Sequence, residues 1–495
     1  MNNNKLLEDQ FKIKDVTFEN RILRSSLGGR HCTYDGTVTD VWKNFESRFA
    51  RSGVSGIIST TFHVNQARLS PMQYPSIARD KYKSNLAKYI ADIKRARPGL
   101  KYIIQIGDPG YATYESLFPD ERDALSSYGG FDLAYGYQTW RKRMSEEDIA
   151  RAIKDYAAAA ERVKDVGADG VEIAAAKGYL IHQFLNPYVN RRKDKWGGSP
   201  DNRFRFFDEV MSAVRCKVGT SRNFLVGVRL AAADHNSTPV AFALTRWPPV
   251  LLAARERRFG NDEDQMIEYA KKLQTRVDYF HIISGFGFPS PRETPGDFPY
   301  DEVKRFFHST HMLTTKTRVR SGLFMLPKFV LRPLLRLGWR YQPALNCAAA
   351  ERFKREVQDS KIIVNGGFRE RATVERALES SDMVSMARAL LANPNLQHVL
   401  SDGHDVPVGC SGCNKCVGRT GTSPLGCYDE SRFKDVNKMY EEILEWNKPD
   451  RFDDVLVPAR AGVERRDEDA PPRQDVNVLS TGSLAAMPSG APPHG

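Results

Sequence analysis

Short runs of β-branched and aliphatic residues recur along the chain about every thirty to fifty residues, each followed by a longer stretch whose apolar positions return at helical spacing. The runs predict strands at Ile22–Leu27, Gly56–Thr61, Tyr102–Ile106, Gly170–Ala174, Phe224–Leu230, Tyr279–Ile283, Lys361–Val364 and Met383–Met386. Between them the pattern predicts helices, among them Ser145–Val166, Asn202–Lys217, Asp262–Leu273 and Glu370–Leu378. Ser145 followed by Glu146, Glu147 and Asp148 has the form of a helix start, a capping hydroxyl and then acids at the positive end of the dipole. Eight strand–helix units are what a (β/α)₈ TIM barrel requires. An open doubly wound sheet is the alternative, and the even spacing favours closure. The reading is an α/β chain with a barrel over residues 1–400.

Two loops and the chain beyond the barrel fall outside the repeat. Pro109–Arg143, rich in Gly and Tyr, follows the third strand, and an insertion at 287–346 follows the sixth. Both leave from carboxyl ends of strands, where barrel enzymes build their sites. After the barrel come a Cys-containing extension ending in a helix, 401–447, and a tail at 448–495. The tail is rich in Pro, Ala, Gly and charge, a composition that buries too little to order itself, so disorder is expected there.

Composition adds exclusions. Of 495 residues, 41% are apolar and 27% charged, which excludes a wholly disordered chain. No run reaches the roughly 18 apolar residues that a spanning helix needs, and the first residues carry no apolar signal core, so a cytoplasmic protein is expected. The net charge of +12 is concentrated. Between Val303 and Ala350 there are nine Lys or Arg and no Asp or Glu. These cations interleave with Leu323, Phe324, Met325, Leu326, Phe329, Leu334, Leu335 and Leu337, which suits an amphipathic insertion better than a nucleic-acid surface. Pro327 and Pro333 predict two short helical pieces, and 315–340 is a candidate lid or peripheral membrane contact.

Chemistry concentrates after the fourth strand. Lys177 and Tyr179 fall in one short loop at the barrel mouth, a cation and a phenol that either face a ligand or are merely solvated. Around them stand Gly178-Tyr179-Leu180, Gln183-Phe184-Leu185, Asn190-x-Arg192-x-Asp194, Gly197-Gly198-Ser199 and Asn202-Arg203-x-Arg205-Phe206. This run resembles the old yellow enzyme family of flavin-dependent ene reductases, including the barrel of 2,4-dienoyl-CoA reductases. The resemblance extends from about Leu6 to Cys427 and is weaker around the insertion.

The resemblance implies bound FMN, with NAD(P)H as reductant. At the family's cofactor positions stand Ser26 in place of its proline, Gly28 in place of its Thr or Cys, Thr61 at the second strand end, and, as matches, Gln105 in IIQIG for the flavin pyrimidine and Arg229 in GVRL beside N1 and O2. A fixed cation there would stabilise an anionic reduced flavin. Gly366, Gly367, Ala387 and Arg388 match the phosphate site after strands seven and eight, where barrels bind phosphate on backbone N–H groups. Tyr179 matches the family's proton donor. The departures fall on the substrate side. The family's carbonyl-holding histidine pair is Ala174 and Lys177 here, and its Gln-Leu-x-His-x-Gly-Arg motif reads Gln105-Ile106-Gly107-Asp108-Pro109-Gly110-Tyr111. Lys177 remains as a cation able to polarise a carbonyl.

Cys410, Cys413, Cys416 and Cys427 have spacing that suits an iron–sulfur cluster or a structural zinc. The dienoyl-CoA reductase branch has an iron–sulfur motif here with one more residue between its second and third Cys. No G-x-G-x-x-G follows, so the electron path is missing and reduced thiols are the favoured reading. The functional reading is an FMN-dependent reductase of an unsaturated carbonyl, a small molecule. A flavoprotein with another acceptor, such as a dienoyl thioester or a quinone, is one rival, and a non-catalytic flavin-binding barrel at a membrane is the other. The oligomeric state is left open.

Overall fold

The computed structural model describes residues 7–66, 73–112, 125–131, 140–235, 260–287, 290–310, 315–336, 339–403, 409–433 and 435–446. Eight parallel strands close into a barrel: β1 (Ile22–Arg24), β2 (Gly56–His63), β3 (Lys101–Gly107), β4 (Gly170–Ala175), β5 (Leu225–Ala231), β6 (Tyr279–Ile283), β7 (Lys361–Asn365) and β8 (Met383–Met386). Neighbours in sequence are neighbours in space, and β8 returns to β1. Every residue of β2, β4, β5, β6 and β8 is buried, as a parallel sheet covered on both faces demands. All eight strands stand where the apolar runs placed them, with ends differing by up to three residues.

The principal outer helices are α1 (Asp40–Ala50), α2 (Lys83–Ala96), α3 (Glu146–Asp165), α4 (Pro200–Val218), α5 (Glu263–Leu273), α6 (Cys347–Glu356) and α7 (Arg371–Ser380). Ser145 and Asp148 form the capping box at the start of α3. Helix α4 begins two residues earlier than its apolar pattern, because Pro200 occupies the first turn, where its missing N–H costs nothing, and Ser199 caps it.

A hairpin of Phe11–Ile13 and Val16–Phe18, absent from the sequence reading, plugs the amino-terminal end of the barrel. Its Ile13, Val16 and Phe18 join Leu23, Ile58, Ile103, Leu225, Tyr279, Ile363 and Met383 in one buried layer. With that end closed, the opposite mouth is left for chemistry. The insertion after β6 contains helices at Tyr300–Ser309, Thr315–Leu323 and Lys328–Arg336 around a small core of their own. The two short helical pieces expected of 315–340 are present: the chain breaks at Pro327, while Pro333 lies inside the second piece. Residues 448–495, expected to be disordered, lie outside the described residues, as does much of the loop after β3. Among the described residues, no helix is long and apolar enough to cross a membrane.

Candidate flavin site at the barrel mouth

Above the apolar plug the barrel interior turns polar. Gln105 of β3 donates from Nε2 to Glu172 of β4 at 2.6 Å. Glu172 also accepts from the Tyr279 hydroxyl at 3.1 Å and pairs with His281 Nδ1 at 3.0 Å. His281 Nε2 meets the Ser385 hydroxyl at 2.7 Å, and Ser385 Oγ accepts from Asn365 Nδ2 at 3.0 Å. Burial alone would raise the Glu172 carboxyl, but His281, Arg229 and Gln105 outweigh it and hold it below the usual range. Burial lowers His281. The layer therefore favours the carboxylate form of Glu172, which faces the buried Arg229. Space for this layer comes from Gly227, where a Cβ would lie 2.0 Å from the Tyr279 ring.

The predicted cofactor residues gather on this layer. A register shift in β2 between Ile58 and Thr61 sets Thr61 beside Gln105, whose Oε1 accepts from both Thr61 and Ser26. One of the two Nε2 hydrogens of Gln105 is committed to Glu172, leaving the other for a ligand. Arg229 is buried, its Nη1 is 3.4 Å from Ser25 Oγ, and its Nε has no partner among the described residues. Desolvation lowers its pKa while Glu172 and Glu293 oppose that shift. A buried guanidinium with an orphaned donor fits an anionic ring edge. Gly28 stands where a side chain is excluded, since a Cβ would lie 2.7 Å from both Thr60 Oγ1 and the Tyr74 ring.

The residues expected at the phosphate line a cavity, Asn365, Gly366, Gly367, Ser385, Ala387 and Arg388, together with Tyr341, Arg369 and Cys410. Gly367 has φ 76°, and a Cβ there would lie 2.3 Å from the Gln342 carbonyl oxygen. Arg369 stacks over Tyr341 at 4.0 Å and donates to the Cys410 carbonyl at 2.8 Å. Arg388 donates to Asn414 Oδ1. Glycines at a tight turn and two guanidiniums fit a phosphate. Sequence reasoning missed Arg369, Tyr341 and Asn414; the first followed the glycine pair closely enough to have been found.

Lys177 and Tyr179 sit in the turn after β4. Lys177 and Gly178 take left-handed φ of 57° and 70°. His182 Nδ1 accepts from Gly178 N at 3.0 Å, and Gln183 Nε2 donates to the Gly178 carbonyl at 2.7 Å, so the Gln183 motif serves the turn. Across Gly107, whose Cβ would lie 3.1 Å from Thr61 Cγ2 and 3.2 Å from the Tyr179 ring, the phenol borders the cofactor residues. Lys177 differs from expectation in one respect: its ammonium is already 3.0 Å from Glu293, a residue of the insertion that is 4% exposed at its side chain. The Glu293 Oε2 has no partner among the described residues. No sequence signal marked Glu293, because only the folded insertion carries it across the mouth.

The cysteines do not fit a metal. Among the described residues, no group of three or more His, Cys, Asp or Glu side chains is arranged to hold one, and all seven thiols are free. Cys410 instead lines the phosphate cavity.

Residues 8–283 match the NADH:flavin oxidoreductase / NADH oxidase family. The chain is 33% identical to an NADPH dehydrogenase of Geobacillus sp. (strain WCH70) over 307 residues, 61% of this chain and 79% of that one. It is 32% identical to an N,N-dimethylglycine/sarcosine dehydrogenase of Chromohalobacter salexigens over 228 residues, 45% of this chain but only 31% of that protein. In fold it resembles a 2-naphthoyl-CoA reductase solved with 2-naphthoyl-CoA, at TM-score 0.67 and 20% identity, over 88% of this chain and 58% of that one.

Proposed function

This chain belongs to the NADH:flavin oxidoreductase / NADH oxidase family, and from that premise we propose that it uses NAD(P)H to reduce the C=C bond of an α,β-unsaturated carbonyl compound. The observation that carries the reading is the shared rim: an orphaned Arg229 Nε and the Gln105 amide at one end, the Gly366–Gly367 cavity at the other, with Tyr179 alongside. FMN bound there would supply the hydride chemistry, accepting from the nicotinamide and giving to the alkene. Gln105, held by Thr61 and Ser26, would orient the ring edge, and Arg229 would supply the fixed cation. Gly366, Gly367, Ala387 and Arg388 would hold the phosphate, with Arg369 added to that set. Lys177 would donate to the substrate carbonyl oxygen, where negative charge develops, and Tyr179 would deliver the phenolic proton to the carbon beside it.

The test is anaerobic. The purified chain is expected to bind FMN one to one, to be reduced by NAD(P)H and to be reoxidised by enones. Tyr179→Phe is expected to keep the first two properties and slow reoxidation by about 10²–10⁴-fold. Failure to bind FMN, or indifference of the reduced protein to every enone in a panel, would sink the reading.

A further inference from the structure

The apolar residues of the insertion divide between two faces. Phe324, Leu331 and Leu335 turn inward and pack with Phe298, Tyr300, Val303, Phe306 and Phe307. The outward face is apolar too: Val319 is 55% exposed, Met325 75%, Leu326 48%, Phe329 82% and Val330 44%. Ten large apolar side chains are exposed among the described residues, and five of them fall in these twelve positions. One stripe is all that packing on a protein body requires, so a helix apolar on both sides has a second apolar surface to satisfy. Helix Lys328–Arg336 ends the turn that carries this tip.

Charge indicates what covers it. The exposed polar residues around the tip include Arg305, Arg318, Lys328, Arg332 and Arg336. Asp301 pairs with Lys328 at 2.8 Å and Asp297 with Arg336 at 2.7 Å, which leaves the rim with a net positive charge. A second copy of this chain docking by the same face would oppose two cationic rims, which disfavours a symmetric contact. A bilayer with anionic headgroups satisfies both features at once, since the apolar tip enters the interface while the long Lys and Arg side chains reach the phosphates.

We propose that the Val319–Val330 tip seats this protein on anionic membrane surfaces. The tip belongs to the same insertion that supplies Glu293 and Tyr341 to the barrel mouth, so the seat would be continuous with the site that receives substrate. The inference is independent of which acceptor the barrel reduces.

The test uses the full chain loaded with FMN, sedimented with phosphatidylcholine vesicles and with the same vesicles containing phosphatidylserine. Binding to the anionic vesicles alone, weakened by salt, is expected. Met325→Ser with Phe329→Ser is expected to weaken it by roughly 10²-fold, and Arg318→Gln and Arg332→Gln by about fivefold each. All four substitutions should leave FMN content and turnover of a water-soluble enone unchanged, because none of these residues lies at the site. Failure to co-sediment with anionic vesicles overturns the proposal, as does binding that none of the substitutions weakens. So does a wild-type oligomer in sedimentation velocity that Phe329→Ser converts to monomer, which would make the face a contact between copies.

Discussion

Lys177 occupies the left-handed region at φ 57°, a conformation a lysine adopts only when its surroundings enforce it, and here His182 and Gln183 hold the next residue in place. The turn aims the ammonium of the half-buried Lys177 side chain at Glu293. Desolvation depresses the Lys177 pKa below the ordinary lysine range, and Glu293 opposes that. A depressed value means the proton is lost at lower pH than from a free lysine, so any step that needs the ammonium fades as pH rises through that value. Removing the carboxylate removes the opposing influence. Glu293→Gln should therefore move the alkaline limb of kcat/KM for an enone to lower pH, while Lys177→Ala abolishes the limb and slows flavin reoxidation about 10²–10³-fold. A limb unmoved in Glu293→Gln, measured across the alkaline range, would mean the pair is only an ion pair. Of this couple, Lys177 was legible from its place after a strand, whereas Glu293 was not, since 115 positions separate them in the sequence.

At the scale of elements, the pattern located all eight strands because a parallel barrel strand is buried on both faces and reads as a short run rich in aliphatic and β-branched residues. The hairpin plug escaped because two three-residue strands are too short to show a period. The longest motif, Asn190 to Phe206, was the most specific signal and proves to be scaffolding: Asn190 Nδ2 donates to the Phe184 and Trp196 carbonyls, and Arg203 donates to those of Leu185 and Gly198. It fixes the helix behind the Lys177 turn without facing the site. The glycine turn after β7 is the opposite case, short and lining the cavity itself. Gly367→Ala places a Cβ against the Gln342 backbone at positive φ, which should cost about 1–3 kcal/mol. Melting of the FMN-free protein and the FMN dissociation constant should both register the change. Wild-type values of both would show that the turn has room to spare.

On the scale of the whole molecule, Asn414 joins three parts that the sequence presents as separate. It is 1% exposed, lies at φ 58°, accepts from Arg388 after β8, and donates from Nδ2 to the carbonyls of Thr294 at 2.9 Å and Asp297 at 3.0 Å. The extension after the barrel thus pins the insertion to the phosphate rim, and the backbone contact of Asp297 N with the Gly412 carbonyl at 2.7 Å reinforces it. The cysteine spacing drew notice to this segment for metal chemistry; its structural use is the asparagine between Cys413 and Cys416. Because one buried and one part-buried carbonyl and a guanidinium would lose their partner together, Asn414→Ala should cost roughly 1–3 kcal/mol for each group left unsatisfied. The loss should spread in a defined direction. FMN affinity should fall about as far as in Arg388→Ala, and amide exchange should quicken across Tyr300–Arg336 while protection in β3 to β5 stays at wild-type level. Uniform loss of protection across the barrel would instead make Asn414 a general core residue, and unchanged exchange in the insertion would mean that its own apolar cluster holds it in place.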